Sequence, residues 1–154
     1  FKGRTRRPPR DPVNAMLSLF YTVLANDCIS ALEGVGLDPF VGMMHVERPG
    51  RASLALDLIE ELRAVMVDRF ILSSINNRII KPDDFEVRET GEVRLMDSGR
   101  KTLFHAWQER KRDTIIHPFL KEKISWGLVP HVQSLLLSRC IRGDLEGYPP
   151  FLWK

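Results

Sequence analysis

Apolar residues recur along most of this chain at helical spacing, and glycines and prolines supply the breaks between them. Asp11-Pro12-Val13-Asn14 reads as a helix start, with Asp11 as cap and Pro12 at the first helical position, where a missing N–H costs nothing. This helix is expected to run to about Leu32 and stop at Gly34. Its stretch AMLSLFYTVLA is apolar on nearly every side, which predicts a deeply placed element. Gly34, Gly36, Pro39, Gly42, Pro49 and Gly50 then disfavour regular structure from Val35 to about Arg51, and a loop of that length is usually functional or mobile. A second long helix is expected from Ser53 to about Asn77, with Leu54, Leu58, Ile59, Leu62, Val65, Met66 and Phe70 covering most of its circumference. FEVRETGEVRLM alternates around Gly91 and predicts a small hairpin over 85–95, with Phe85, Val87, Val93 and Leu95 as packing residues. A third helix is expected from Ser98 to Arg112. A fourth is expected from Ile124 to Arg142, ending at Gly143, and Pro130 inside it demands a kink or a late start. The tail GYPPFLWK reads as extended and aromatic, packed on this domain or on a partner. The fold class is mainly α, with one small β-hairpin.

Composition narrows the picture. At 154 residues the chain is one domain, long enough to bury a core without disulfides. Its 44% hydrophobic and 28% charged residues exclude a disordered chain. No unbroken apolar run approaches the roughly 20 residues needed to cross a bilayer, and the basic opening FKGRTRRPPR has no apolar stretch behind it, which argues against a signal peptide. The expectation is therefore a protein with no membrane partner. Cys28 and Cys140 fall in helix-like segments without metal-ligand spacing and read as small buried residues of a reducing cytoplasm. The chain opens mid-pattern without methionine, which suggests a fragment. Net charge is only +3, but Lys2, Arg4, Arg6, Arg7 and Arg10 crowd the first ten residues. That segment, 1–10, is either an arm suited to phosphate contacts or a solvated linker remnant; residues 11–154 form the helical domain.

One constellation stands out chemically. Asp57, Glu60 and Glu61 stand at i, i+3 and i+4, so they emerge from one side of the second helix between apolar faces. Carboxylates gathered at the edge of a core are costly unless their charge is compensated. A divalent cation would do so, and oxygen ligands suit Mg²⁺ and Mn²⁺. His45, on the loop leading into this helix, lies where it can fold back and add a nitrogen ligand, which would favour Mn²⁺. The same three acids, extended by Asp68 and interleaved with Arg63 and Arg69, also read as a plain solvated stripe. No GxGxxG, Walker loop, GxSxG or HExxH occurs.

At these residues a family resemblance enters. The runs DPVNAMLSLFYTVLANDCISALEGVGLDPFVGMMH and RPGRASLALDLIEELR closely resemble the catalytic domain of the integrases of CRISPR adaptation, the Cas1 family. RLMDSGRKTLFHAWQERK, GLVPHVQSLLLSRCIRGD and YPPFLWK resemble in particular its subtype I-C branch. The resemblance covers essentially the whole chain and implies an all-helical, metal-dependent catalytic domain. It implies that Mn²⁺ or Mg²⁺ is held by His45 and Glu60, with Asp57 as a further ligand or as a support behind them. The family's remaining glutamate belongs to a GxEG-like motif that does not occur here, and Glu33 in ALEGVG sits at the wrong place in the pattern. The family's N-terminal β-domain is also missing from the sequence, so weak metal binding and little activity are expected of this chain alone.

The resemblance further implies phosphoryl transfer, in which a DNA 3′-hydroxyl attacks repeat DNA, or water attacks in an endonuclease reaction. Implied partners are double-stranded DNA, a second copy in the full-length form, the small companion subunit of the adaptation complex, and a fragment-trimming nuclease. Charge and nearness to the motif nominate Arg4, Arg6, Arg7, Arg10, Arg48 and Arg51 for DNA contacts. Lys101, Arg110, Lys111 and Arg112 are either solvated surface or DNA footprint; Tyr21 and Asn14 fall at positions the family shares, with Asn14 either a DNA contact or a core residue and Tyr21 read as packing. Two other readings stay open on the residues: a non-catalytic helical DNA-binding module and a protein-interaction domain.

Overall fold

The computed structural model describes Gly3 and residues 8–153. Five helices carry the domain: α1 (Pro12–Gly34), α2 (Ser53–Arg63), α3 (Arg69–Asn76), α4 (Asp97–Arg112) and α5 (Val129–Ile141). Two antiparallel ribbons sit at its edges, β1 (Phe85–Val87) with β2 (Val93–Leu95), and β3 (Thr114–Ile116) with β4 (Lys123–Ser125). The mainly helical class is as the sequence predicts.

Helix α1 is the centre. Its start follows the sequence signal: the Asp11 carboxylate accepts the Asn14 N–H at 2.9 Å and Pro12 opens the first turn. Its last helical residue is Gly34, as expected. Just past it, the Leu37 N–H reaches the Leu32 carbonyl and the Gly36 N–H reaches that of Glu33, with Gly36 at φ 80°, so Gly36 is the left-handed residue that seals the end. This paired closure satisfies carbonyls the helix leaves open. By length and mean hydropathy α1 is long and apolar enough to cross a membrane, which the broken apolar runs do not suggest. In the fold its row of Met16, Phe20, Leu24, Cys28 and Leu32 is buried, and α1 packs on α2, α3 and α5.

The second helix reaches Asn76 as one helical run, but not as one α-helix: residues Ala64–Asp68 form a π turn between α2 and α3. The burial pattern explains it. Leu54, Leu58, Leu62, Met66, Phe70 and Ser74 are all buried, a strict repeat of four. On a 3.6-residue turn each step of four overshoots by about 40°, so five steps would carry the stripe about 200° round the axis. One wider turn takes back part of that drift. Phe70 then meets Phe20 and Trp107, with ring centroids 5.0 and 5.0 Å away, and Phe20 lies 5.3 Å from Trp107.

The 85–95 hairpin forms in register, with Phe85 opposite Leu95. Val93 and Leu95 are buried, but Val87, expected to pack, is 73% exposed at the end next to the turn. The β3–β4 ribbon has no counterpart in the sequence expectation, which begins the fourth helix at Ile124; that residue instead pairs with Ile115. Pro130 then sits in the first turn of α5, so the late start is what occurs. Both cysteines are free. Cys28 is buried, and that burial raises its thiol pKa, whereas Cys140 is only half-buried, contrary to expectation. The tail packs on its own domain, with Phe151 buried, its ring centroid 6.0 Å from that of Trp126.

The two glycines at the end of α1 separate cleanly by mutation. Gly36→Ala should destabilise the domain by about 1 kcal/mol, because a Cβ disfavours the left-handed backbone. Gly34→Ala, helical and with open space where its Cβ would stand, should be neutral or slightly stabilising; chemical denaturation of both variants checks the pair.

Candidate active site

The loop between α1 and α2 is built from its own polar backbone. The Asp38 carboxylate accepts the Phe40 N–H at 2.9 Å, turning the chain at Pro39. The Pro39 carbonyl then accepts the N–H groups of Leu54 (2.9 Å) and Ala55 (3.3 Å), capping α2 where Ala52 offers no side-chain cap. Gly42 lets the loop lie down on the helix: a Cβ there would stand 2.5 Å from the His45 carbonyl oxygen and 2.6 Å from the Ser53 Cβ. Past Gly42, three successive N–H groups converge on one carboxylate. Asp57 Oδ2 accepts from Met43 (2.6 Å) and Met44 (2.9 Å), and Oδ1 from the His45 N–H (2.9 Å) and the His45 ring Nδ1 (2.5 Å).

Four donors fill the acceptor capacity of an ionised carboxylate. Burial alone would raise the Asp57 pKa; the backbone N–H groups of Met44, Met43 and His45 and the His45 ring outweigh it and hold the pKa below the usual value. The contact also fixes the ring. Nδ1 is held against Asp57, which turns Nε2 away from that carboxylate, with no hydrogen-bond partner among the described residues. A carboxylate behind a histidine is the usual arrangement for an imidazole that binds metal.

His45 lines a cavity of about 390 Å³ with Glu60, Arg51, Arg63, Tyr21 and Ser18 among its neighbours. The sequence-nominated His45 and Glu60 therefore face one space, and Asp57 sits behind the ring. One imidazole nitrogen and one carboxylate oxygen suit a divalent cation of the Mn²⁺ or Mg²⁺ type. Among the described residues, no three of His, Cys, Asp and Glu gather closely enough to form a complete cage. Glu60 meanwhile pairs with Arg63 at 3.1 Å.

The basic candidates divide. Arg51 lines the cavity, Arg48 is exposed on the loop and Arg10 is exposed beside α1; Arg4, Arg6 and Arg7 lie outside the described residues. The stretch on α4 is largely neutralised within the chain. Arg110 pairs with Asp113 and lies 5.3 Å from the Trp126 ring centroid, Lys111 bonds Asp27 at 2.9 Å, and Arg112 bonds Glu109 at 2.8 Å.

Ser18, Thr22 and Arg63 join the cavity without any motif to mark them in the sequence, and Tyr21, expected to pack, lines it too. Ser18, Tyr21, Thr22 and Ala25 form a small and polar stripe at 3–4 spacing on an otherwise apolar helix, and that stripe is the available signal. Tyr21 also donates to Asp68 at 2.5 Å.

Glu61, the third acid of the cluster, points elsewhere. Its Oε1 accepts from the Tyr148 hydroxyl and from Gln133 Nε2 (3.1 Å), and its Oε2 accepts the Phe151 N–H at 2.7 Å. Gln133 Oε1 meets Nε2 of the buried His117 at 3.0 Å, and His117 Nδ1 accepts N–H groups of Phe119 and Leu120. Burial lowers the His117 pKa below its usual value, while burial and the nearby Glu61 raise that of Tyr148, so the ring is neutral and the phenol remains a donor.

The sequence profile of the family described as CRISPR associated protein Cas1 matches residues 1–109. The CRISPR-associated endonuclease Cas1 2 of Rhodospirillum rubrum is 57% identical over 154 residues, covering 100% of this chain and 45% of that protein. A casposase bound to integration product superposes with a TM-score of 0.86 at 24% identity, over 100% of this chain and 47% of that one. A partial Cas6-RT-Cas1--Cas2 complex gives a TM-score of 0.80 at 29% identity, over 100% and 45% of the two chains. Fold and site together define a helical domain whose carboxylate-backed histidine opens on a basic cavity. The chain belongs to the Cas1 family, and it spans a little under half the length of the curated relative it matches.

Two measurements test this geometry. Asp57→Ala should accelerate amide exchange at Met43, Met44 and His45 at least about tenfold, since each loses a bond worth roughly 1.5–3 kcal/mol as a charged contact; unchanged exchange would mean the loop is held by something else. The depressed His117 pKa sets a sign for stability. Below about pH 6.5 the unfolded chain takes up a proton that the folded ring resists, so stability is full above that pH and declines as pH falls. Urea midpoints should drop between pH 7.5 and 5.5, and His117→Gln should flatten that limb.

Proposed function

We propose that this chain forms part of a metal-dependent DNA endonuclease/integrase of CRISPR spacer acquisition, in which His45 and Glu60 are catalytic and hold the metal. The observation that carries the reading is the His45 ring, locked through Nδ1 by Asp57 and lining one cavity with Glu60, Arg51 and Arg63. Family membership supports the nuclease class, and the endonuclease name of the Rhodospirillum rubrum relative supports it further.

In this reading the 3′-hydroxyl of an incoming DNA fragment attacks a phosphodiester of repeat DNA. A new P–O bond forms, the repeat strand's own 3′-oxygen leaves, and a proton passes from the attacking hydroxyl to the leaving oxygen's side. Mn²⁺ or Mg²⁺, when bound, would supply positive charge to the phosphate and to the entering or leaving oxygen. His45 would hold it through Nε2 and Glu60 through a carboxylate oxygen. Asp57 acts behind them, keeping the imidazole in the tautomer that offers its lone pair outward. Arg51 and Arg63 lend charge to the phosphate, and Arg63 can exchange Glu60 for it because an exposed ion pair is worth little. Arg4, Arg6, Arg7, Arg10 and Arg48 would track the DNA backbone, a contribution that sets affinity and its salt dependence.

The proposed partners are double-stranded DNA, a second copy of the protein, the small companion subunit of the adaptation complex, and a trimming nuclease. The likeness to a chain of a partial Cas6-RT-Cas1--Cas2 complex supports the companion subunit. The cytoplasm is the proposed location, and the subtype I-C branch the proposed lineage.

The test uses the protein at the length of its relatives, with a labelled fragment and Mn²⁺. His45→Ala and Glu60→Ala should each lower integration at least about 100-fold, since the metal contributes several kcal/mol, with DNA affinity held within about threefold because phosphate contacts dominate it. Equal integration by wild type and Glu60→Ala would overturn the assignment.

A further inference from the structure

Of the three acids on α2, Glu61 is the one for which the reading above has no task, and it is the most elaborately bonded to distant parts of the chain. Its partners come from α5 (Gln133) and from the tail (Tyr148 and Phe151), 72 to 90 positions away in sequence. Gln133 Nε2 also bonds the Tyr148 hydroxyl at 2.7 Å and the Pro149 carbonyl at 3.3 Å, so the same amide ties α5 to the tail. Behind it, Gln133 is held by His117, and both are fully enclosed. The tail is thus bolted to α2 by a connected polar network, not laid against it by apolar contact alone.

The position of the bolt matters. On an α-helix Glu61 is adjacent to Glu60 and about 100° from it, while Asp57 and Glu61, four apart, share a face. Asp57 fastens the loop that carries His45, and Glu61 fastens the tail. Between loop and tail lies a second, almost wholly apolar cavity of about 350 Å³, bounded by Met43 and Met44 on one side and Tyr148 and Pro150 on the other. Glu60 borders both this cavity and the one shared with His45. Because the space separates the two segments, packing between them does little to fix their spacing across α2, and the two carboxylate anchors bear that task. A polar network of this kind, where every member has a partner, specifies a single arrangement more sharply than it adds stability.

We propose that Glu61 is a positioning residue: with Tyr148 and Gln133 it anchors the C-terminal segment 148–151 to the turn of α2 that carries Glu60, and so sets where the Glu60 carboxylate stands relative to His45. The tail thereby becomes part of the site's geometry without touching substrate or metal. This rests on the role given to Glu60 above.

The experiment uses the protein at its relatives' length and two conservative variants, Tyr148→Phe, which keeps the ring and removes the hydroxyl, and Glu61→Asp, which keeps the charge and shortens its reach. Five quantities are read: thermal midpoint, amide exchange over 148–153, Mn²⁺ affinity by the bound fraction in electron paramagnetic resonance, and kcat and KM for integration. Both variants should remain folded with near-unchanged KM for DNA, show faster exchange in the tail, and bind Mn²⁺ about tenfold more weakly, the low end of the cost of removing a group behind a metal ligand. The kcat deficit should be recovered at high Mn²⁺. Faster exchange in the tail with unaltered Mn²⁺ affinity and kcat would reduce the network to a stability device and overturn the proposal. Should Glu60→Ala itself integrate normally, the catalytic reading fails and this one with it; a dead Glu60→Ala beside fully active Tyr148→Phe and Glu61→Asp sinks the positioning role alone.

Discussion

The structure around the site depends on a single carboxylate. Asp57 receives three consecutive backbone N–H groups and meets the His45 ring Nδ1, so a single side chain on α2 holds the whole turn of the loop. Hydrogen bonds to an ionised carboxylate are stronger than those to neutral acceptors, so the loop is drawn onto the same two oxygens. Gly42 makes that path sterically open, and the Pro39 carbonyl, capping α2, fixes where it begins. His45 is oriented as a by-product of the loop's own hydrogen-bond accounting.

That arrangement separates three carboxylates that look equivalent in sequence. One is consumed by a loop and one by the tail, which leaves Glu60, paired among the described residues with Arg63 alone, as the acid with spare capacity. A cluster of negative charge at the edge of a core is thereby made tolerable in two different ways: by backbone dipoles at Asp57 and by neutral donors at Glu61. Neither requires a cation. The remaining negative charge lies on the cavity wall beside the histidine, where Arg51 and Arg63 also stand.

Much of the fold is legible because the signals are local. Asp11-Pro12 marks the start of α1, Pro130 the late start of α5, and alternation around Gly91 the β1–β2 ribbon. What escapes is settled by longer-range contacts. Gly34 ends α1 where its position suggests, but the closure onto Leu32 and Glu33 through a left-handed Gly36 rests on hydrogen bonds that spacing does not show. Three-residue strands such as β3 and β4 carry too few positions to show a period, so Ile124 reads as helix until Ile115 is placed opposite it. At the site, spacing puts Asp57 and Glu60 on α2 and His45 within reach of it. Spacing has no means of showing that Asp57 is filled by backbone, or that Glu61 is claimed by residues at the far end of the chain. The cavity's α1 wall, with Ser18, Tyr21 and Thr22, is written in a polar stripe that the surrounding apolar residues obscure.

The π turn at Ala64–Asp68 has a consequence for how the long helix divides its duties. A continuous α-helix locks the azimuth of every side chain to that of its neighbours, so re-aiming the acids of the first half would swing Phe70 and Ile71 out of the aromatic centre. An inserted residue works like a swivel between two rods. The segment before the turn can seat Leu54, Leu58 and Leu62 in the core with its acids at the core's edge, while the segment beyond Asp68 is rotated separately to bring Phe70 to the aromatic centre.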